Sequence, residues 1–293
     1  MKPLDILLAV SVPTVWGFGF IFAKAAMGEF PPILLMALRF TLTALVLVWF
    51  VRVPRGLMGR IFVVSLVSAT IQYSLTFTGL RDLDASIAII VVQLEVPFGA
   101  LLAAIFLKDR IGWRRAFGMA LAFVGVGLIA GEPRVQQNIM PMFLVVGGAF
   151  TWAAGQVMIK TLGRVGGFTL IAWVAVMSAP QLFVASFLFE DGQFDAIAGA
   201  GWIGWGTVVY LGLVMTALGY AAWYHLLGKY QVNQMMPYLL LLPVVTVIGS
   251  VALLGERLTL PVALGGGVVI VGVAIIVTYK RQSRARVADQ PGE

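Results

Sequence analysis

Apolar residues run in ten long stretches along the chain, and short polar connections separate them. A helix needs about 20 mostly apolar residues to cross a bilayer, so the pattern predicts ten transmembrane helices. Their predicted ranges are 5–26, 33–51, 61–80, 85–107, 113–131, 140–160, 169–189, 202–226, 232–254 and 260–279. The connections leave no room for a soluble nucleotide-binding domain, and no GxxxxGK[ST] phosphate loop occurs. ATP-driven pumping by this chain alone is therefore excluded.

Composition narrows the class of protein further. Of the 293 residues, 60% are hydrophobic and 11% are charged, whereas a soluble domain is about 45–50% apolar and about 25% charged. These values exclude both a soluble domain and a disordered chain. The chain has no cysteine and one histidine, so neither a metal nor a cofactor is expected. The predicted fold class is an all-α membrane protein.

The basic residues indicate how the chain is oriented. If the N-terminus is cytoplasmic, most Lys and Arg residues fall in cytoplasmic segments, chiefly 52–60, 108–115 and 280–286. This asymmetry is the positive-inside rule, and it predicts an inner (plasma) membrane protein with both termini in the cytoplasm. The net charge of +7 thus reflects contact with the lipid bilayer, and no nucleic-acid partner is expected. Residues 280–293 are predicted to form a basic cytoplasmic tail.

The sequence contains an internal repeat. Some residues recur 136 positions later and others 147 positions later, with the extra residues of the second copy in the acidic, glycine-rich segment 190–201. The pairs are Trp16/Trp152, Gly19/Gly155 and Lys24/Lys160 at the first offset, and Tyr73/Tyr220, Phe77/Tyr224, Arg110/Arg257, Gly118/Gly265 and Gly125/Gly272 at the second. The predicted domains are a first repeat at 1–131, a linker at 132–139 and a second repeat at 140–279.

A repeat of five helices has two consequences. Because five is odd, the second copy enters the membrane from the opposite side, which gives two inverted-topology five-helix repeats. This architecture is common among secondary transporters, whose substrate site lies near the midplane between the halves. The first helix ends in Ala23-Lys24-Ala25, a pattern typical of a signal-peptide cleavage site. Its counterpart in the sixth helix indicates that it belongs to the fold and is not cleaved.

Short motifs with glycine, proline and charged residues stand at defined places in both halves. In the first half they are Trp16, Gly17, Gly19, Phe22 and Lys24, then Pro31-Pro32 and Leu38-Arg39-Phe40. In the second half they are LLLPV at 240–244 and LGERLT at 254–259. The chain resembles the EamA-type branch of the drug/metabolite transporter superfamily over nearly its whole length, and departs from it at Lys108-Asp109-Arg110, where Gly-Glu-Arg is more usual. The resemblance implies a ten-helix exporter of small metabolites, often amino acids and including aromatic ones.

Glu95 is the one carboxylate deep inside a predicted helix, and it is a candidate site residue together with Gln93. A charge there costs roughly 3 kcal/mol on insertion scales. Two interpretations stay open: Glu95 carries a proton or binds a substrate ammonium group, or it is a structural acid, neutral or paired with Arg39 or Gln93. Pro97 and Pro243 are predicted helix breaks at matching depth in helices four and nine. They either expose carbonyl groups to a substrate or kink the helices.

Aromatic residues in the middle of the predicted helices are further candidates for substrate binding. Tyrosine and tryptophan usually lie at the membrane interfaces, and a mid-membrane tyrosine hydroxyl needs a partner that a water-filled cavity supplies. Residues four apart share a helix face, which pairs Tyr73/Phe77, Tyr220/Tyr224 and Trp152/Gln156. The resemblance implies that helices three, four and six line the cavity. The predicted substrate-binding residues are Trp16, Tyr73, Phe77, Gln93, Leu94, Glu95, Val96, Trp152, Gln156, Tyr220, Tyr224 and Tyr238, with plain interhelical packing as the alternative for each ring.

Three other features have a structural and a functional interpretation. Arg39 either extends to the membrane surface or forms a fixed ion pair, and Lys24 is predicted to anchor a helix end at the interface. His225 is either an interfacial residue or a second candidate for proton coupling. Glycines on helices five and ten, among them Gly118 and Gly125, are expected to pack within one chain. A monomer explains them, and a dimer stays open.

The sequence therefore predicts a secondary transporter that exports small metabolites, most plausibly amino acids, by alternating access. Its expected partners are a small-molecule substrate and the bilayer. An uncoupled facilitator or channel is the alternative. An intramembrane enzyme would need paired acids, a histidine cluster or an activated nucleophile, and no HExxH or GxSxG motif occurs.

Overall fold

Ten long helices form the molecule, and the part of the chain that the structure describes contains no strand. The computed structural model describes residues 2–109, 111–163, 165–230 and 232–278, with the backbone alone at 232, 233 and 236. In chain order, helices one to ten are Pro3–Ala26, Pro32–Phe50, Met58–Asp82, Ala85–Phe106, Trp113–Ala130, Met140–Lys160, Gly167–Phe189, Trp202–Lys229, Val232–Leu239 with Leu241–Leu254, and Leu260–Thr278. Ten helices are long and apolar enough to cross a membrane, so the predicted fold class is confirmed.

Two short helices lie in segments that the sequence analysis took as connections. They are Pro133–Gln137, between the two halves, and Gln193–Gly199, in the longer second-half insertion. The predicted residue Arg110, the end of helix ten at Tyr279 and the basic tail lie outside the described residues. We call the side of the bundle on which helix one begins the terminal face, and the opposite side the distal face.

Helices three and eight contain π-helical segments at equivalent places of the repeat. These are Leu66–Ile71 and Tyr210–Leu218, and a shift of 147 residues places the first within the second. A π-helix bonds residues five apart and is frequent at functional sites. In helix eight, the hydroxyl of Thr216 donates to the carbonyl of Leu211 at 2.7 Å. The repeat is therefore visible in a rare backbone conformation as well as in side-chain identities.

Helices four and nine are both interrupted near their middle. Helix four consists of Ala85–Val92 and Glu95–Phe106, and helix nine of Val232–Leu239 and Leu241–Leu254. The backbone angles at the two junctions nearly coincide, with φ −62° and ψ −13° at Leu94 and φ −65° and ψ −15° at Leu240. Pro97 and Pro243 each stand three residues after a junction and deprive an upstream carbonyl of its donor. Both helices are thus discontinuous where the prolines occur.

Helices five and ten touch through glycine backbones. A Cβ on Gly125 would lie 2.6 Å from the carbonyl oxygen of Gly265, and one on Gly118 would lie 2.7 Å from that of Gly272. Real Cβ atoms do not approach backbone so closely, so these positions require glycine. The glycine stripes therefore pack within one chain, whereas Gly127 faces open space.

Side chains from distant segments hold helix ends together at the distal face. Glu190 accepts hydrogen bonds at the start of helix two, Glu29 at the start of helix eight and Glu256 at the start of helix four, each from two backbone N–H groups 2.5–3.0 Å away. Carboxylates are favourable at helix N-termini because the free N–H groups and the helix dipole point at them. Lys24 ends helix one and donates to two carbonyls of the last turn of helix three, at 3.0 and 2.7 Å.

The terminal face is held by a different set of contacts. Asp5 accepts a hydrogen bond from the hydroxyl of Tyr230 at 2.7 Å, which joins the start of helix one to the end of helix eight. Lys160 and Asp109 are the repeat counterparts of Lys24 and Glu256, which form contacts at the distal face. Both residues are exposed, and neither side chain forms a hydrogen bond or ion pair with another described residue. The side-chain contacts of Lys24 and Glu256 are thus made at the distal face, and the equivalent contacts are not made at the terminal face.

Candidate functional site

Tyr220 stands at the centre of a group of mid-depth side chains that come from both halves. It follows the π segment of helix eight, and its ring centroid is 5.0 Å from that of Trp16 in helix one. It also interacts electrostatically with Arg39, Tyr73 and Glu95 of helices two, three and four. We call Trp16, Arg39, Tyr73, Glu95 and Tyr220 the central cluster. The cluster brings together residues that are up to 204 positions apart in the sequence.

Trp16 is held in a fixed orientation by helix eight. Its indole N–H donates to the carbonyl of Met215, within the π segment, at 3.1 Å. A Cβ on Gly219 would lie 2.6 Å from the indole nitrogen, so glycine is needed for the ring to approach. The ring of Trp223 lies behind it at 6.0 Å. Trp16 therefore keeps one position beside Tyr220, and this position depends on the irregular backbone of helix eight.

Tyr73 is the accessible member of a stack of aromatic rings. Phe40 meets it edge-on with ring centroids 5.1 Å apart, and Phe77 stacks on it at 5.6 Å. Phe77 is itself 1% exposed and packs on Phe20 at 5.7 Å. Such pairs add about 0.5–1.5 kcal/mol beyond burial alone. Of the predicted pair Tyr73 and Phe77, the structure places the tyrosine beside the central cluster and the phenylalanine behind it as support.

Both sequence interpretations of Arg39 are wrong. Its side chain is 1% exposed, so it does not extend to the membrane surface, and its guanidinium forms no ion pair with a described residue, Glu95 included. Instead Nε and Nη2 donate to the hydroxyl oxygen of Thr216, at 3.2 and 2.9 Å. The guanidinium carbon lies 4.8 Å from the ring centroid of Tyr73, which is cation–π distance. The positive charge is therefore buried among rings and one hydroxyl group.

Glu95 begins the second part of helix four, about 15 Å from the distal start of that helix at 1.5 Å per residue. Its side chain keeps some accessible surface and lies within electrostatic range of Tyr220. It makes no hydrogen bond to a described residue. Gln93, in the helix interruption, is 6% exposed, and its amide likewise has no partner in the described part of the chain. These polar groups are therefore available to a ligand or to water.

The predicted pair Trp152 and Gln156 lies on helix six. Trp152 shares a helix face with Gly148 and Gly155, which touch helix three at Thr76 and Ser68. Within the described residues, the indole N–H of Trp152 has no acceptor and its ring has no aromatic neighbour. Trp152 thus lies at mid-depth on the helix face that carries these glycines, without the fixed contacts that hold Trp16.

The other predicted residues occupy varied positions. Tyr224 stacks on Tyr220 with centroids 6.2 Å apart, on the terminal side of the cluster. Leu94 is 1% exposed in the helix interruption, while Val96 keeps accessible surface, and so does Tyr238 in helix nine. His225 is exposed and interacts electrostatically with Asp5 at the terminal face. The structure thus places His225 away from the central cluster.

Thr216 was not singled out from the sequence, because a threonine in an apolar helix is common and its contact with Arg39 spans 177 positions. One sequence signal did mark the two charged members of the central cluster, Arg39 and Glu95: neither is repeated in the second half.

The counterpart of Arg39, 136 positions on, is Ala175, and the counterpart of Glu95, 146 positions on, is Leu241. Both mid-depth charges therefore depart from the repeat. Residues that one half has and the other lacks are not required by the shared fold.

Ten apolar helices in two repeats, with discontinuous helices meeting polar side chains at mid-depth, define a multi-pass membrane transporter. Comparison with known families agrees with this class. Residues 4–131 and 139–278 each match the EamA-like transporter family, and the chain belongs to that family.

Individual relatives match over nearly their full length. A protein of Escherichia coli strain K12 named "Probable amino-acid metabolite efflux pump" is 30% identical, over 97% of this chain and 98% of that protein. A protein of the same name from Salmonella typhimurium strain LT2 is also 30% identical, over 98% and 100%. A solved structure with 18% identity superposes with a TM-score of 0.64 over 94% of this chain and 96% of that one, which supports the fold alone.

Proposed function

We propose that this protein is a secondary transporter that exports amino acids, including aromatic and apolar ones, across the inner membrane by alternating access. The observation that carries the proposal is the central cluster, in which Tyr220 of the second half packs on Trp16 and lies within electrostatic range of Arg39, Tyr73 and Glu95 of the first half. A solute held there contacts both halves. The names of the two bacterial relatives support export and the substrate class.

The chemistry of the cluster suits a small zwitterion with an apolar side chain. Trp16, Tyr73 and Tyr220 offer ring faces for the apolar part, and rings also attract cations within about 6 Å of their centroids. The Glu95 carboxylate has no hydrogen-bond partner among the described residues and lies within electrostatic range of Tyr220, so it is the candidate for binding the ammonium group. Glu95 is the first residue of the second part of helix four, and the positive end of the helix dipole there favours the charged carboxylate.

Transport by the purified protein in proteoliposomes tests the proposal. We expect counterflow of at least one of L-phenylalanine, L-leucine and L-threonine. Tyr73→Ala and Trp152→Ala should reduce the rate at least tenfold while the protein stays folded. Trp49→Ala removes a ring that is 81% exposed and should leave the rate within twofold. If Tyr73→Ala and Trp152→Ala both transport at the parental rate, the assigned site is wrong.

Energy coupling separates the proposal from uncoupled facilitation. An imposed pH gradient should drive accumulation by a proton-coupled exporter, whereas a facilitator equilibrates the solute. We propose Glu95 as the proton-carrying group, with His225 as the second candidate. Glu95→Gln should abolish the pH dependence of transport, and His225→Asn serves as its comparison. Unchanged pH dependence in Glu95→Gln would remove this residue from the coupling mechanism.

A further inference from the structure

Arg39 carries a buried charge that the described chain does not neutralise. Four ion pairs occur in the described residues, and all of them stand near helix ends. Arg39 is seven residues into helix two, about 10 Å below the distal face, and is 1% exposed. A charge at such depth is expensive and usually marks a functional site. A buried cation without a carboxylate partner therefore needs an explanation.

The hydrogen bonds of the guanidinium leave one edge poorly satisfied. Thr216 accepts from Nε and Nη2 with one oxygen, and its own proton is committed to Leu211 in the π segment. The contact of Nη1 is with the sulfur of Met36, at 3.8 Å. A thioether is a weak acceptor on a flexible side chain. Arg39 is thus fixed in orientation by Thr216, while its Nη1 edge faces a weak acceptor, the thioether of the buried Met36.

A purely structural role does not account for the arginine. The equivalent position in helix seven is Ala175, which is fully buried, so the shared fold accepts a small apolar residue there. Arginine is costly at this depth, and its planar fork suits bidentate binding of a carboxylate. The ring of Tyr73 under the guanidinium stabilises the cation in the absence of an anion.

We propose that Arg39 binds the carboxylate of the transported solute through its Nη1 edge, with Met36 moving aside. The proposal rests on the proposed function and names the group by which the substrate is recognised. The carboxylate would neutralise Arg39 on one side of Tyr220, while Glu95, on a different helix around the same ring, remains for the ammonium group. Arg39 is therefore a specificity-determining residue. Solutes that lack a carboxylate are expected to be poor substrates whatever their apolar part.

Counterflow with matched analogues tests the role of Arg39. L-phenylalanine, L-phenylalaninamide and 2-phenylethylamine share the ring and the amine, and the first alone has a carboxylate. The parental protein should prefer phenylalanine over both analogues by at least tenfold in KM. Arg39→Gln keeps donors for Thr216 and should raise the KM for phenylalanine at least tenfold, so that the preference disappears. Arg39→Lys keeps the charge and should retain part of the preference for phenylalanine.

A second measurement does not depend on transport. Phenylacetate should raise the melting temperature of the parental protein in detergent, and phenylacetamide should not. Arg39→Gln should lose this stabilisation, whereas Arg81→Gln, which removes an arginine with a half-exposed side chain, should keep it. If Arg39 had a merely structural role, Arg39→Gln would lower the melting temperature without altering the difference between the stabilising effects of the two ligands.

The outcomes separate the two proposals. If no amino acid is transported but phenylacetate stabilises the protein through Arg39, the proposed function is wrong and the carboxylate site stands. If amino acids are transported and Arg39→Gln keeps the preference for phenylalanine over its amide, the Arg39 inference is overturned and the proposed function stands. If neither transport nor Arg39-dependent stabilisation occurs, both are overturned.

Discussion

Trp16 and Trp152 occupy equivalent positions of the repeat and differ in their surroundings. The indole of Trp16 donates to the carbonyl of Met215, while that of Trp152 has no acceptor in the described residues. A hydrogen bond between partly buried protein groups contributes about 1 kcal/mol. The two tryptophans therefore form a matched pair, in which one ring is fixed by a hydrogen bond and the other is not.

Replacing each tryptophan by phenylalanine should separate these situations. Trp16→Phe keeps a ring and loses the hydrogen bond to the Met215 carbonyl, so we expect a loss of about 1 kcal/mol and a fall of roughly 2–4 °C in melting temperature. Trp152→Phe should change the melting temperature by less than half as much. Thermal unfolding in detergent, followed by scanning fluorimetry or circular dichroism, measures both. Equal losses would show that the hydrogen bond of Trp16 adds nothing to stability.

Helices five and ten show the same contrast at the scale of an element. Gly125 meets the backbone of helix ten, and Gly127, two residues on, faces open space. Alanine is favoured over glycine inside a helix by about 0.5–1 kcal/mol, but a Cβ at the first position collides with a carbonyl, and overpacking of this kind costs about 1–3 kcal/mol. Gly125→Ala should therefore lower the melting temperature and Gly127→Ala should leave it unchanged or raise it. Destabilisation by Gly127→Ala would indicate that this face is also packed, for example in a dimer.

Sequence patterns determined the helices well because length and hydropathy are local properties. The predicted helix at 140–160 coincides with Met140–Lys160, and the others differ at their ends by a few residues. The π segments were not predicted, since hydropathy carries no information on how a helix is bonded. Pro97 and Pro243 did predict breaks in helices four and nine. Both interruptions lie three residues before the proline, because a proline has no N–H to donate to an upstream carbonyl group.

The candidate site was harder to predict than the helices. Tyr73 and Tyr220 stood out as mid-span aromatic residues on matching positions, and they lie within electrostatic range of each other. Arg39 was interpreted as a surface or ion-paired residue, because its partner Thr216 belongs to the other half of the chain. Contacts of that kind follow from how two repeats pack together, and neither composition nor periodicity contains this information.

At the scale of the whole molecule, the two faces of the repeat differ in the side-chain contacts that they make. At the distal face Glu256 accepts hydrogen bonds from two backbone N–H groups and from the hydroxyl of Ser86 at the start of helix four. Lys24 donates hydrogen bonds to two carbonyls at the end of helix three. Their counterparts at the terminal face, Asp109 and Lys160, make no such bonds to described residues. In an inverted repeat that rocks about its centre, contacts made on one face are expected to be exchanged for their counterparts on the other. Under the proposed alternating access, the structure therefore corresponds to the state in which the distal contacts are formed.

Removing one set of contacts should therefore shift the balance of states in a known direction. Glu256→Gln weakens the cap of helix four by about 1 kcal/mol, which corresponds to a roughly fivefold shift towards the distal-open state. Asp109→Asn should shift the balance the opposite way, because it weakens the contacts of that second state. The chain has no cysteine, so Val96→Cys serves as a single reporter, labelled by a membrane-impermeant maleimide from the distal side. Faster labelling in Glu256→Gln and slower labelling in Asp109→Asn are expected. If both variants change labelling in the same direction, the two carboxylates are not counterparts in one exchange, and the distal contacts serve stability alone.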